Sequence, residues 1–206
     1  MKEKIINCLN NLFPVPRCEL EYSNIFELLV AVILSAQCTD KRVNHVTREL
    51  FKVYQSPQDF DKMKIEELEK IIHSCGFYHA KAKAIKEASK DIIEKFNGQV
   101  PNNFEDLCSL RGVGRKTANV MISEGFKGDA FAVDTHVLRV SNRLGIVETD
   151  NPDKCELILK KYFAKKDWSR LHYQMVLFGR YHCKARNPEC ENCELNKICK
   201  YLKEKR

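Results

Sequence analysis

The sequence predicts an all-α fold, and three observations carry that expectation. No run sustains the period-two alternation of a half-buried strand. Apolar residues instead recur at helical spacing in about ten short segments. All six prolines fall between those segments or in their first turns, where a missing N–H is tolerated.

In chain order, Ile5, Ile6, Leu9 and Phe13 mark a helical arm over residues 2–13 that Pro14 and Pro16 stop, and such an arm is expected to pack on a distant element. Asn24 with Glu27 three residues on has the pattern of a helix N-cap, and the almost wholly apolar run from Leu28 to Leu34 predicts a central, buried helix. It ends in the polar break Ser35-Ala36-Gln37-Cys38-Thr39-Asp40, where Asp40 is expected to cap a helix with Val43, Val46, Leu50 and Phe51 on its apolar face. Ser56-Pro57 reads as a cap followed by a first-turn proline. Ile65, Leu68, Ile71 and Ile72 mark a short helix closed at Gly76. Ile85, Ala88, Ile92 and Phe96 mark a long one from Ala80 onward, ended by Asn97-Gly98.

Further on, Gly125 and Gly128 break the chain, and Ala130-Phe131-Ala132-Val133 is a brief apolar segment with no strand partner in sight. Asp134-Thr135-His136 can cap a helix bearing Val137, Val140 and Leu144, stopped by Gly145. Asn151-Pro152-Asp153 opens another through Phe163, and Trp168, Leu171, Met175, Phe178 and His182 line the last long one.

The 206 residues suit one large domain or two small ones. Lysine and arginine outnumber aspartate and glutamate by 35 to 28, a net charge of +7 that suits a polyanionic partner and equally suits solubility. No uninterrupted apolar run reaches the roughly 18 residues of a membrane span, and Met1-Lys2-Glu3-Lys4 leads into no signal-peptide core. No membrane partner is therefore expected, and an intracellular, cytoplasmic location is. In a reducing compartment the ten cysteines do not read as a disulfide framework. Cys8, Cys18, Cys38, Cys75, Cys108 and Cys155 are scattered and read as small buried hydrophobes.

Function is most legible in Leu110-Arg111-Gly112-Val113-Gly114-Arg115-Lys116-Thr117-Ala118. Phe104, Leu107 and Leu110 fit one short helix, and Ala118, Met121, Ile122 and Gly125 fit one face of a second, so residues of about 104–125 read as a helix-hairpin-helix. Gly112 and Gly114 let the backbone turn tightly and leave its N–H groups unshielded. The start of the second helix adds open donors and a partial positive charge that favour a phosphate, a preference strengthened by Arg115 and Lys116. Such a turn can also be a plain connection.

Cys183, Cys190, Cys193 and Cys199 are separated by six, two and five residues, which gathers four thiolates into one loop after the last long helix. This spacing predicts a metal site. Tetrahedral zinc and an iron–sulfur cluster both suit four thiolates; only one Cys-x-x-Cys pair is present, where zinc loops usually carry two, so iron–sulfur is favoured and structural zinc stays open. His182 is an alternative ligand, although a helix-face histidine held by the core is the simpler reading. Lys184 and Arg186 in this loop are expected to touch phosphate, and residues 200–206 to be a solvated basic tail.

Gly-Val-Gly-Arg-Lys at 112–116, an aspartate 18 residues after the lysine in Val133-Asp134-Thr135-His136, and the four-cysteine loop together resemble the endonuclease III family of DNA glycosylases. Leu34-Ser35-Ala36-Gln37, Gly76-Phe77-Tyr78 and Asn142-Arg143 also sit where that family has similar stretches, so the resemblance covers almost the whole chain. It implies two helical domains with a DNA cleft between them: a six-helix barrel over about residues 18–131, and a second domain joining residues 1–17 to 132–206, with a 4Fe-4S cluster held in the loop at 183–199. It further implies a monomer acting on double-stranded DNA that carries a damaged base or an abasic site, in the nucleoid if the source is bacterial.

The resemblance makes Lys116 the nucleophile and Asp134 its acid partner, and the residue types suit the chemistry. Cleaving an N-glycosidic bond and then the strand needs an amine that attacks the sugar C1′ and forms a Schiff base. Desolvation, Arg115 and the helix start would each favour the neutral amine. Asp134 would stabilise positive charge developing on the sugar and help manage the lysine's proton. Taken singly, Lys116 also reads as a phosphate contact and Asp134 as an ordinary N-cap; the joint pattern favours catalysis. A base inside a duplex must be extruded and the gap filled, and by position Gln37 and Phe77 match the family's inserting residues, while His136 would shape the pocket or touch the backbone.

Two departures from the family pattern stand out: Arg111 replaces the usual proline, adding a cation near the phosphate, and Phe77 is bulkier than the expected aliphatic wedge. The expected activity is a bifunctional glycosylase and abasic-site lyase for oxidised pyrimidines, cutting by β-elimination. An adenine-mismatch glycosylase fits less well, since that branch lacks the lysine and carries an added C-terminal domain. The alternative of another class is a non-catalytic DNA-binding or redox-sensing iron–sulfur protein.

Overall fold

The computed structural model describes residues 1–204, and among these it forms twelve α-helices, two 3-10 turns and one π turn, with no strand. The all-α expectation holds. Lys205 and Arg206, the end of the expected solvated tail, lie outside the described residues. No helix among the described residues is long and apolar enough to cross a membrane. The chain divides into two compact units, Met1–Cys18 with Lys127–Arg206, and Glu19–Phe126.

The first helix, α1 (Lys2–Leu12), belongs to the former unit. The Glu19–Phe126 unit is built on α2 (Ile25–Ser35), in which every residue from Phe26 to Leu34 is buried. Asn24 caps it by accepting the Glu27 N–H at 2.9 Å, and the Glu27 carboxylate accepts from the Ser23 N–H at 2.6 Å, so a buried acid is satisfied by backbone. Around α2 pack α3 (Asp40–Val53), α6 (Tyr78–Phe96) and α8 (Arg115–Val120). Burying each Leu, Val or Ile of α2 contributes about 1.5–3 kcal/mol, which makes this helix the unit's main apolar anchor.

Short helices complete the unit: α4 (Pro57–Lys62) opens with a full capping box between Ser56 and Asp59, α5 (Ile65–Ile72) runs into a 3-10 turn at His73–Cys75, and α7 (Phe104–Ser109) precedes the glycine turn. Two boundaries differ from expectation. Thr39, not Asp40, caps α3, because Thr39 takes the extended conformation and its hydroxyl accepts from Arg42 while Asp40 is already helical. The helix α6 starts at Tyr78 rather than Ala80, because a left-handed Phe77 sets its entry.

In the other unit α9 (Thr135–Leu144), α10 (Pro152–Tyr162) and α11 (Trp168–Tyr181) enclose a core that includes Phe131, Val137, Val140, Leu159, Leu171, Met175 and Phe178. As expected, the N-terminal arm packs on a distant element: Ile5 and Leu9 enter this core, and Asn10 and the Phe13 carbonyl receive hydrogen bonds from Gln174 on α11 at 3.0 and 2.8 Å. A last short helix, α12 (Lys200–Lys203), contacts α9, and Lys200 pairs with Glu148, so Lys200, Tyr201 and Leu202 are docked and half-buried rather than part of a solvated tail, while Lys203 and Glu204 are exposed.

Candidate functional site

The hairpin owes its shape to Gly112. Its φ is +75°, and a Cβ there would lie 2.5 Å from the Ala84 Cβ on α6, so only glycine lets the turn bend this way and sit this close. Gly114 differs: its φ is −91°, and a Cβ would face open space. Glycine at 114 leaves the start of α8 uncovered instead of shaping the turn. Val113 is buried and its N–H donates to the Leu110 carbonyl at 3.1 Å, so it anchors the turn and its N–H is not one of the open donors. The first turn of α8 presents Arg115 and Lys116, both exposed, with the Arg115 guanidinium over the Phe104 ring at 4.9 Å. Arg111, expected to add a cation near a phosphate, reaches Glu87 on α6 at 3.5 Å, and its N–H approaches the Asp91 carboxylate at 3.4 Å.

Gln37 and Phe77 share an unusual backbone. Both are non-glycine residues in the left-handed region, with φ of +52° and +46°, and both are exposed, Phe77 to 67%. A bulky residue at positive φ is strained and needs surrounding structure to hold it. Lys81 supplies that structure: buried in α6, its ammonium donates to the Leu34 carbonyl and to the Cys75 carbonyl, each at 2.8 Å. One cation thus ties the end of α2, before Gln37, to the 3-10 turn before Phe77. Because the glycine turn also rests on α6, the hairpin and both exposed loops share one frame.

In the unit with the termini, Asp134 caps α9 by accepting the Val137 N–H on Oδ1 at 2.8 Å, which leaves the cap's second oxygen out of that bond. The unpaired apolar segment before it is held by α11: the Ser169 hydroxyl donates to the Gly128 carbonyl at 2.7 Å and accepts from the Ala130 N–H at 3.2 Å, and buried His172 meets the Ala132 carbonyl at 2.8 Å. Backbone that elsewhere would pair in a sheet is satisfied by side chains, and this fixes the entry of Asp134. His136 is half-buried and its Nδ1 lies 3.2 Å from the Arg139 guanidinium, so the ring accepts there. A Cβ at Gly179 would stand 2.9 Å from the His136 Cβ, so Gly179 lets α11 lie close under this residue.

The four clustered thiols, Cys183, Cys190, Cys193 and Cys199, line one cavity. Burial pushes the Cys193 thiol up, and charge on Cys183, Cys199 and Cys190 acts in the same direction against the Leu195 N–H. Four such sulfurs cannot all be thiolates without positive charge among them, so the donor set fits an iron–sulfur group. Among the described residues no three His, Cys, Asp or Glu side chains close on a single ion. The arginines of α9 brace the loop: Arg143 donates to the Lys184 carbonyl at 2.7 Å and the Ala185 carbonyl at 3.1 Å, and sits 3.4 Å from the Cys183 Sγ, while Arg139 donates to the carbonyls of Gly179 and Cys183 at 2.7 and 3.2 Å. His182 is half-buried, stacks on Phe178, faces Glu189 at 3.3 Å and lines the same cavity as the four thiols. Lys184 is engaged by Glu189 at 2.7 Å, and this bond holds the Glu189 carboxyl below its ordinary range; Arg186 is exposed.

Sequence reasoning missed Lys81, Arg139, Ser169, His172 and Gly179. The signal for Arg139 was its place with Arg143 at i, i+4 on α9, off the apolar face; for Lys81 there was none, because a lysine four residues into an amphipathic helix reads as solvated.

With this geometry in view, the comparisons with known proteins are direct. The model of the HhH-GPD superfamily base excision DNA repair protein matches residues 30–165, which sets the class. The model of the iron-sulfur binding domain of endonuclease III matches residues 183–199, so the cysteine loop is an iron–sulfur site and the zinc alternative falls. The chain is 49% identical over 199 residues to endonuclease III of Bacillus subtilis, spanning 96% of this chain and 91% of that protein. It is 43% identical over 205 residues to that of Rickettsia conorii, spanning 98% of each. A solved structure of a trapped endonuclease III–DNA covalent intermediate, an estranged-adenine complex, superimposes with a TM-score of 0.95 at 47% identity, covering 100% of this chain and 98% of that one. A thermostable thymine-DNA glycosylase shares the fold, with a TM-score of 0.87 at 22% identity over 98% and 97% of the two chains. The chain belongs to the endonuclease III family within the HhH-GPD superfamily.

Proposed function

We propose that this protein is a bifunctional DNA glycosylase and abasic-site lyase of base excision repair that removes oxidised pyrimidines from duplex DNA. It carries a 4Fe-4S cluster on Cys183, Cys190, Cys193 and Cys199, and it acts as a monomer in the cytoplasm on the chromosome. When bound, the cluster supplies four metal–sulfur links that hold the loop at 183–199 in one shape. In this reading the start of α8, with Gly112, Gly114 and Arg115, grips a phosphate, Arg186 and Lys184 offer a second grip, and His136 lines the site.

Gln37 and Phe77 enter the duplex where the damaged nucleotide leaves it, which suits two exposed side chains held on strained turns. The Lys116 amine attacks the sugar C1′, the base departs, and the resulting iminium acidifies the C2′ proton, whose loss expels the 3′ phosphate. The Asp134 carboxylate stabilises the cationic sugar and takes part in moving the lysine's proton.

The observation that carries this proposal is Lys116 itself, an exposed amine on the first turn of the helix that follows the glycine turn. The covalent DNA complex trapped for the similar endonuclease III supports it. Borohydride reduction with DNA holding an abasic site is the test. Wild-type protein is expected to give a covalent adduct that Lys116→Gln abolishes, with lyase activity down about 10³-fold or more; no adduct with wild type leaves a non-catalytic DNA-binding protein.

A further inference from the structure

The sequence reads the cysteines outside the cluster loop as scattered, small buried hydrophobes, but two of them come together and one of these is only half-buried. The thiols of Cys38 and Cys75 adjoin each other and both lie close enough to Lys81 to act on its charge, although 36 residues lie between them. They meet because the 3-10 turn His73–Cys75 packs against α3. Each adjoins one of the strained turns: Gln37 immediately precedes Cys38, and Gly76 and Phe77, both at positive φ, follow Cys75. Lys81 binds the same two segments from the buried side. Cys38 is half-buried and Cys75 fully buried, so a small reagent meets Cys38 first.

We propose that Cys38 and Cys75 form a reversible disulfide that ties the loop of Gln37 to the loop of Phe77 and so controls insertion into the duplex. The control rests on the reading of those two residues as inserting; the disulfide itself does not. The co-reactant is a low-molecular-weight disulfide. The Cys38 sulfur, as thiolate, attacks one sulfur of the small disulfide, breaking its S–S bond and releasing one small thiol. The Cys75 sulfur then attacks Cys38, forming the protein S–S bond and releasing the second. Two protein thiols are oxidised, one small disulfide is reduced to two thiols, and the two protons lost by the protein end on those thiols.

Electrostatics supports this order of events. Burial pushes the Cys75 thiol up to about 11, with Cys38 acting in the same direction and Lys81 and Arg42 against it. Cys75 is thus the slow, resolving thiol, and the cations beside the pair favour its thiolate when it reacts. An S–S bond of about 2.05 Å is shorter than any non-bonded approach of two sulfurs, so its formation draws the two loops together. Misplacing a working side chain by about 1 Å can cost up to ~100-fold in rate.

The test uses the full-length, cluster-loaded protein incubated with oxidised glutathione, then alkylated and peptide-mapped, with absorbance near 400 nm, a rough position for thiolate-ligated iron, checked to show the cluster intact. A Cys38–Cys75 cross-link is expected, together with a fall of about tenfold in excision of a damaged base from duplex DNA that dithiothreitol reverses. Cys38→Ser, a change at the half-buried partner, is expected to keep the reduced rate and lose the response. Absence of the cross-link overturns the proposal, and so does a cross-link that leaves excision unchanged. Gln37→Ala and Phe77→Ala, assayed in reduced protein, separate the two readings. Slowed excision in both without any cross-link sinks the disulfide alone, whereas unchanged rates in both sink the insertion reading even where the cross-link forms.

Discussion

The glycine hairpin and the cysteine loop are both proposed to face phosphate, and they are held in opposite ways. The hairpin turn is short and is fixed by its own unit: Leu110 and Val113 are buried, Gly112 lies against Ala84, and helices flank it on both sides. The loop from Cys183 to Cys199 contains no α-helix and is kept in place by turns and by Arg139 and Arg143, with its four sulfurs proposed to hold the cluster. One therefore depends on volume and the other on bonds to a group of opposite charge. The two grips should therefore fail separately and for different causes.

The largest expected effect tests the loop. Cys193→Ser removes one of four sulfurs, and is expected to abolish the absorbance near 400 nm and weaken DNA binding roughly 100-fold, while the helical signal of the Glu19–Phe126 unit persists. Titration of labelled duplex with circular dichroism in parallel checks both parts; unweakened binding would show that the hairpin grips DNA alone. Next comes Lys81→Met, which leaves the Leu34 and Cys75 carbonyls buried without their donor and is expected to cost about 3 kcal/mol in urea unfolding. A cost below about 1 kcal/mol would mean that backbone alone holds the strained turns.

The hairpin's dependence on volume is tested by Gly112→Ala, which both forces a left-handed alanine and sets a methyl 2.5 Å from the Ala84 Cβ. The expected cost is about 2–4 kcal/mol, with slower abasic-site cleavage. Adding Ala84→Gly removes the clash but not the φ strain, so about half of the loss should return. Full recovery would show that strain at 112 is negligible, and no recovery that the clash is.

Local chemistry is what the sequence made legible. The caps at Asn24, Ser56, Asp134 and Asn151, and the stop at Gly145, stand where their residue types placed them, because a cap is decided within four residues. Asp40 misled for the same reason: Thr39 and Asp40 are both good caps, and only the backbone angles choose. The left-handed turns at Gln37 and Phe77 were invisible, since neither residue favours positive φ and the lysine that holds them lies 44 and 4 residues away. The same is true of Ser169 and His172 beneath Asp134, whose partners are about 40 residues off in sequence. Long-range hydrogen bonds leave no period in the chain, so the support of the site stayed hidden while its proposed chemistry did not.

The smallest expected effect concerns Arg111, where the family pattern has proline. Leu110 has φ −71° and ψ 138°, a conformation that a following proline accepts without clash. The groups at stake are weak: the Arg111 N–H reaches Asp91 at 3.4 Å, and its guanidinium meets Glu87 at 3.5 Å with 71% of the side chain exposed. An exposed pair of this kind contributes about 0–1 kcal/mol, and proline recovers about 0.4–1 kcal/mol by restricting the unfolded chain. Arg111→Pro should therefore leave stability within about 1 kcal/mol and abasic-site cleavage within about threefold of wild type. Because Arg111 turns toward carboxylates of α6, the slope of log affinity against log salt should not change, and a slope shallower by about one would mean that Arg111 leaves Glu87 for a phosphate once DNA is bound.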